Sequence, residues 1–160
     1  MLRVLLYGLV LTFASACVAQ FTYAPIDVPG ATATVARGIN NSGEVVGFYQ
    51  TTACSNYDMN VPNCPTLGFK YVNKTYTTVM VPNSTATAVN GVNDLGDIVG
   101  FYTNVDGSRH GFIWWHNGTI QTIDAPSTPY STIVMGINRS GVAVGGDWSI
   151  GETGTFAQSG

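Results

Sequence analysis

Charge is scarce in this chain. Six Lys or Arg and nine Asp or Glu among 160 residues leave a formal net charge of −3, with no basic run that could follow a phosphate backbone. Nucleic acid is therefore not the expected partner. Long solvated helices are not expected either, because their outward faces depend on charged side chains. Cysteine and histidine are also rare: Cys17, Cys54 and Cys64, with His110 and His116 far along the chain. That spacing matches no zinc-ligand pattern, and neither a metal nor another cofactor is expected. No apolar run reaches the ~20 residues that a membrane-spanning helix needs. What remains is 45% hydrophobic, with 19 glycines and many Thr, Asn and Ser, a composition suited to short strands joined by tight turns.

The first residues read as an address. Arg3 supplies a positive charge, Val4 to Ala14 is apolar, and small residues follow up to Ala19, the order of a secretory signal peptide. Residues 1–19 are assigned to that leader and 20–160 to the mature domain, so the protein is expected outside the cell. Ala14-Ser15-Ala16-Cys17 also resembles a lipoprotein cleavage box, with Ala14 where a larger aliphatic residue is usual, which leaves a cell-surface lipoprotein as the lesser alternative. Removal of the leader leaves Cys54 and Cys64 in an oxidising compartment, where a disulfide between them is expected. It would close a loop of about ten residues and contribute roughly 2–3 kcal/mol.

The strongest signal is internal repetition. Gly38-Ile39-Asn40-Asn41-Ser42-Gly43-Glu44-Val45-Val46-Gly47-Phe48-Tyr49 returns as Gly91-Val92-Asn93-Asp94-Leu95-Gly96-Asp97-Ile98-Val99-Gly100-Phe101-Tyr102, and again as Gly136-Ile137-Asn138-Arg139-Ser140-Gly141-Val142-Ala143-Val144-Gly145. Pro29, Pro82 and Pro126 precede the three copies in register, and Gly68-Phe69, Gly111-Phe112 and, loosely, Gly154-Thr155-Phe156 follow them. A period of roughly 45 residues marks a repeat architecture. The Cys54 to Cys64 segment reads as an insertion in the first unit.

Each unit reads as four strands. The first ends at Gly-Ile/Val-Asn, and the Asn and Gly that follow suit a type I turn with a glycine bulge. The second, such as Glu44 to Tyr49, is apolar on both faces, as when a sheet is covered on each side. Gly47, Gly100 and Gly145 interrupt these strands at one position, which implies a close backbone approach, read as crowding near an axis. The third and fourth are Phe69 to Val72 and Tyr76 to Val81, or Phe112 to Trp115 and Thr119 to Asp124, turning at Asn73-Lys74 and at His116-Asn117-Gly118. Trp114 and Trp115 are expected to point one into the core and one to the surface. The fold class is thus all-β, three four-stranded antiparallel meanders with the dimensions of β-propeller blades, in units of about 21–74, 75–118 and 119–160. Phe21 to Val28 is expected as a strand of the fourth type, placed to complete the last blade. Closed propellers have roughly four to eight blades, so three imply a small ring, a fragment of a longer repeat protein, or a homodimer of six blades.

At Ile26-Asp27-Val28-Pro29-Gly30-Ala31, Gly38 to Tyr49 and His110-Gly111-Phe112 the chain resembles the bacterial extracellular repeats called the HAF family. The resemblance spans the mature chain and weakens in the third unit, where Gly146-Asp147 replaces Phe-Tyr. It implies secretion and a propeller-like fold, and it brings no catalytic residues.

In such a meander the longer connections gather at one end: Gln50 to Leu67, Thr103 to His110 and Asp147 to Gly154. Binding groups concentrate on loops of this kind, so Tyr57, Asp106, Arg109, His110, Asp147 and Trp148 are the candidate ligand contacts. The cluster Asn93 to Asp97 has the oxygen content of a calcium loop, but its equivalents keep Asn and Gly while the acids dwindle to Glu44 in the first unit and to none in the third, as turn geometry alone requires. The expected function is a secreted, noncatalytic module that binds a carbohydrate or an extracellular protein. The alternatives are an extracellular hydrolase or lyase using Asp106, His110 and Asp147, or an architectural fragment.

Overall fold

The computed structural model describes residues 21–51, 65–126, 131–147 and 155–158, the side chains of the last stretch excepted. The strands are β1 (Ala33–Ile39), β2 (Val45–Gln50), β3 (Thr66–Val72), β4 (Thr75–Val79), β5 (Ala86–Val92), β6 (Ile98–Thr103), β7 (Arg109–Trp114), β8 (Ile120–Ile123), β9 (Thr132–Ile137), β10 (Ala143–Asp147) and β11 (Thr155–Gln158). They form three open antiparallel sheets, β1-β2-β3-β4, β5-β6-β7-β8 and β9-β10-β11, each running strand to neighbouring strand in chain order. The described residues contain no helix long and apolar enough to cross a bilayer.

The turns follow from the sequence. In β1–β2 the amide of Gly43 donates to the Asn40 carbonyl at 3.0 Å and that of Asn40 to the Glu44 carbonyl at 3.1 Å. Gly43, Gly96 and Gly141 all hold positive φ, which a glycine adopts without steric cost. Asn73 and Lys74 both have positive φ, the two-residue turn that matches the natural twist of a hairpin.

All three first strands carry one extra residue opposite the second strand: Arg37, Asn90 and Met135 lie where the register shifts. The bulge explains the glycines that face it. A Cβ on Gly47 would collide with the Val35 carbonyl oxygen, and one on Gly100 with that of Ala88. The close approach expected there is present, but it comes from the bulged neighbour within the same sheet and not from crowding at an axis. Crowding between sheets falls on another glycine column: a Cβ on Gly38 would stand 3.1 Å from the Gly91 Cα, and one on Gly91 3.4 Å from the Gly136 Cα.

The sheets stack in chain order, β5 lying against the first sheet and β9 against the second. Alternate residues of each strand face opposite neighbours. Val46, Val79 and Val81 pack with Val89, Ile98 and Phe112 between the first two sheets. Val99, Ile113 and Ile123 pack with Val134 and Ala143 between the second and third. Phe48, Ala88, Phe101 and Ile133 form a third cluster. With both faces of the middle sheet covered, Trp114 and Trp115 are both half-buried, one on each cluster, where the sequence predicted one at the surface.

The connection into each new sheet is latched by a threonine. The Val81 amide donates to Thr87 Oγ1 at 3.0 Å, the Ala125 amide to Thr132 Oγ1 at 2.8 Å, and the Val28 amide to Thr34 Oγ1 at 3.1 Å. Before that latch the expectation fails. Phe21 to Val28 forms no strand and pairs with no sheet, and Phe21 and Tyr23 are 79% and 95% exposed. Pro25 removes an amide donor from the segment, standing where β4 has Thr78, whereas Pro29 has counterparts in Pro82 and Pro126 behind strands that do form. The third sheet is therefore not completed by this segment; β10 lies between β9 and β11. Cys54 and Cys64 lie outside the described residues.

Candidate binding site

The turns joining the first two strands of each unit meet around one depression. It has a volume of about 230 Å³ and is lined by Ile39, Asn40, Asn41, Val92, Asn93, Asp94, Ile137, Asn138 and Arg139, three equivalent residues from each unit. The leading Asn of each trio builds its own turn. Asn93 Oδ1 accepts from the amides of Leu95 and Asp97, both at 3.0 Å, and Asn40 and Asn138 do the same in their units. The free amide nitrogen then reaches forward, Asn40 Nδ2 to the Asn93 carbonyl and Asn93 Nδ2 to the Asn138 carbonyl, each at 3.0 Å. An asparagine ladder thus sets the spacing between units, the short Asn amide giving an acceptor to its own turn and a donor to the next unit.

The second residue of each trio is free to vary. Asn41 donates from its amide and its side chain to the two oxygens of Asp94, at 3.0 and 2.8 Å. Those bonds, against a small opposing effect of burial and with help from Arg139, hold the Asp94 carboxyl below its ordinary value. The rim therefore presents an amide, a carboxylate and a guanidinium in sequence.

Beneath the middle turn lies Asp97, almost fully buried. Its Oδ1 accepts from the His116 amide at 2.8 Å and sits 2.6 Å from His116 Nδ1, while Oδ2 accepts from Asn93 Nδ2 at 2.7 Å. Burial pushes the carboxyl up, and the hydrogen bonds from His116 and Asn93 outweigh it, so that Asp97 titrates below the usual carboxylate range. His116 thereby has a structural part, tying the second hairpin of its sheet to the first. The equivalent Glu44 pairs with Lys70 instead.

At the opposite, long-loop end, four of the six sequence candidates fall within the described residues; Tyr57 and Trp148 lie outside them. Asp106 and His110 meet at Ser108, which sequence reasoning passed over. Ser108 Oγ donates to Asp106 Oδ1 at 2.7 Å and lies 2.9 Å from His110 Nε2, and His110 Nδ1 is 2.7 Å from Asp124 Oδ1. The ring also stacks on Tyr102 with centroids 5.3 Å apart. The Arg109 guanidinium lies 4.8 Å over Phe101, and Asp147 ends β10.

Serine, imidazole and carboxylate in line have the connectivity of a nucleophilic triad. The Ser108 hydroxyl has two acceptors in reach, Asp106 Oδ1 at 2.7 Å and His110 Nε2 at 2.9 Å, so the carboxylate competes with the imidazole for the proton that a base would have to take. The surrounding amides are also occupied, Gly107 on the Asn104 carbonyl and Ser108 on Asp106 Oδ1, which leaves neither to stabilise an oxyanion. The bonds from Ser108, opposed slightly by burial and aided by His110, hold the Asp106 carboxyl below its ordinary value. A Ser-His pairing two residues apart at a strand start was the available signal for Ser108. Asp124 could be found only by knowing which strand lies beside His110. Among the described residues no group of three or more His, Cys, Asp or Glu is placed to hold a metal.

The fold and these sites define an all-β protein of stacked antiparallel meanders, with a polar depression shared by equivalent turns. Compared with known proteins, the chain matches no family model, no curated protein and no solved structure.

Proposed function

We propose that the protein is a secreted, noncatalytic binding module of propeller-like blades, akin to the HAF repeats, that takes a carbohydrate at the shared depression. The observation that carries this reading is the convergence of three equivalent turns on one concave surface. Its volume suits one or two sugar rings, and ligand sites are concave with a few fixed polar groups. The Asp94 carboxylate and the Arg139 guanidinium supply an acceptor and donors for hydroxyl groups. The asparagine ladder holds these groups in place before a ligand arrives, which lowers the ordering cost of binding.

Ser108, His110 and Asp124 favour one second reading, an extracellular hydrolase. A single set of measurements separates the two. Wild-type protein is applied to a glycan array beside Arg139→Ala and Ser108→Ala, and all three are incubated with a fluorophosphonate probe. The binding module predicts array signals lost at least tenfold in Arg139→Ala, kept in Ser108→Ala, and no labelled serine. Labelling of Ser108, or an array on which wild type and Arg139→Ala behave alike, overturns it.

A further inference from the structure

Each sheet receives the next in the same way, and the last one is left ready to receive another. Val46 and Val99 occupy equivalent places on the second strands of the first and second sheets, and both are 0% exposed because the following sheet covers them. Val144 holds that place in the third sheet and is 49% exposed. The glycine column repeats the pattern. Gly38 and Gly91 are closed over by the backbone of the next unit, whereas a Cβ on Gly136 would meet only Val144, 3.7 Å away within its own sheet. The asparagine ladder ends there too, since Asn138 Nδ2 has no acceptor among the described residues.

The first sheet shows the complementary vacancy. Val92 packs on the cluster that contains Val46, and Ile137 on the cluster that contains Val99. Ile39 is the same residue of the first unit, and it is 68% exposed. A knob without its hole at one end of the stack and a hole without its knob at the other are the two halves of an interface this chain already makes twice.

We propose that the face of the third sheet carrying Val144 and Gly136 docks a second copy of this chain, which enters with its β1 face so that its Ile39 covers Val144. The contact is head to tail, joining two different surfaces. Ile39 of the second copy takes the place that Val92 and Ile137 take inside the chain, and Asn138 Nδ2 acquires the Asn40 carbonyl of that copy. Two such contacts related by a two-fold axis close a ring of six sheets, which consumes both vacancies and leaves no sticky end for further growth. The depression becomes half of an axial mouth lined by six equivalent turns.

The oligomer and the ligand are tested by different residues, so failure of one is distinguishable from failure of the other. Sedimentation velocity of the purified protein at micromolar concentrations is expected to give twice the chain mass. Val144→Asp is expected to weaken self-association at least tenfold without altering circular dichroism or the melting temperature of the monomer, because an exposed position tolerates the charge. Arg139→Ala remains dimeric. A photo-crosslinking amino acid in place of Val144, in a mixture of isotope-labelled and unlabelled protein, is expected to join labelled to unlabelled chains at the segment around Ile39. A wild-type protein that stays monomeric at about 100 µM overturns the proposal, as do crosslinks joining Val144 to the Val144 face of another copy. A further sheet from a longer chain, or an unrelated partner, as the true occupant would appear as that monomer.

Discussion

At the scale of single residues, the position that distinguishes this chain is the asparagine that starts each turn. Asn93 is buried and its side chain makes four hydrogen bonds, two that shape its hairpin, one to Asp97 and one to the next unit. Removing it strands the amides of Leu95 and Asp97 and one oxygen of a buried carboxylate. Unmet polar groups of this kind cost about 1–3 kcal/mol each before any recovery by water. Asn93→Ala is therefore expected to destabilise the monomer by about 3 kcal/mol, and Asn138→Ala, exposed and without a forward partner among the described residues of its own chain, by about 1 kcal/mol. Urea unfolding of the two variants checks the order; equal losses would mean that the ladder contributes nothing beyond the turn.

At the scale of elements, the bulged first strand sets the shape of each sheet. The extra residue at Arg37 or Asn90 drives a carbonyl towards the second strand, where Gly47 or Gly100 leaves room that a Cβ would take. Gly100→Ala is expected to cost about 3 kcal/mol, because the obstruction is backbone and cannot rotate away. Gly118→Ala keeps a strained positive φ but meets nothing within 4 Å, and about 1 kcal/mol is expected. Thermal melts of both variants make the comparison. The hairpins were legible in the sequence because Asn and Gly at fixed offsets specify turns locally. Phe21 to Val28 misled because its apolar pattern resembles β4, while Pro25 withdraws an amide where β4 has Thr78.

At the scale of the molecule, acid is the condition most diagnostic of this architecture. The folded state depresses Asp97, Asp94 and Asp106, so it binds fewer protons than the unfolded chain, whose carboxylates titrate near 3.9. Their contribution is fully present above that value and is lost as the pH falls through the lower, folded one. The melting temperature is expected to be level from pH 7 to about pH 5 and to fall below about pH 4. Asp94 and Asp106 are solvent-exposed and screened, so Asp97, tied across two hairpins, carries the effect, and Asp97→Asn is expected to flatten the acid limb of the curve. A melting temperature that rises on acidification would contradict the hydrogen bonding described.

Local chemistry by itself determined the repeat, its turns and the strands other than the expected one at Phe21 to Val28, since period, glycine placement and asparagine caps act over a few residues. What only the tertiary structure decided is what meets across the units. The bulge opposite Gly47 and Gly100, the asparagine ladder, the meeting of Ser108 with Asp124 through His110, and the exposure of Val144 where Val46 and Val99 are covered all depend on sheet stacking. The same residue type is core or surface according to whether another sheet follows it, and no property of the residue itself records that.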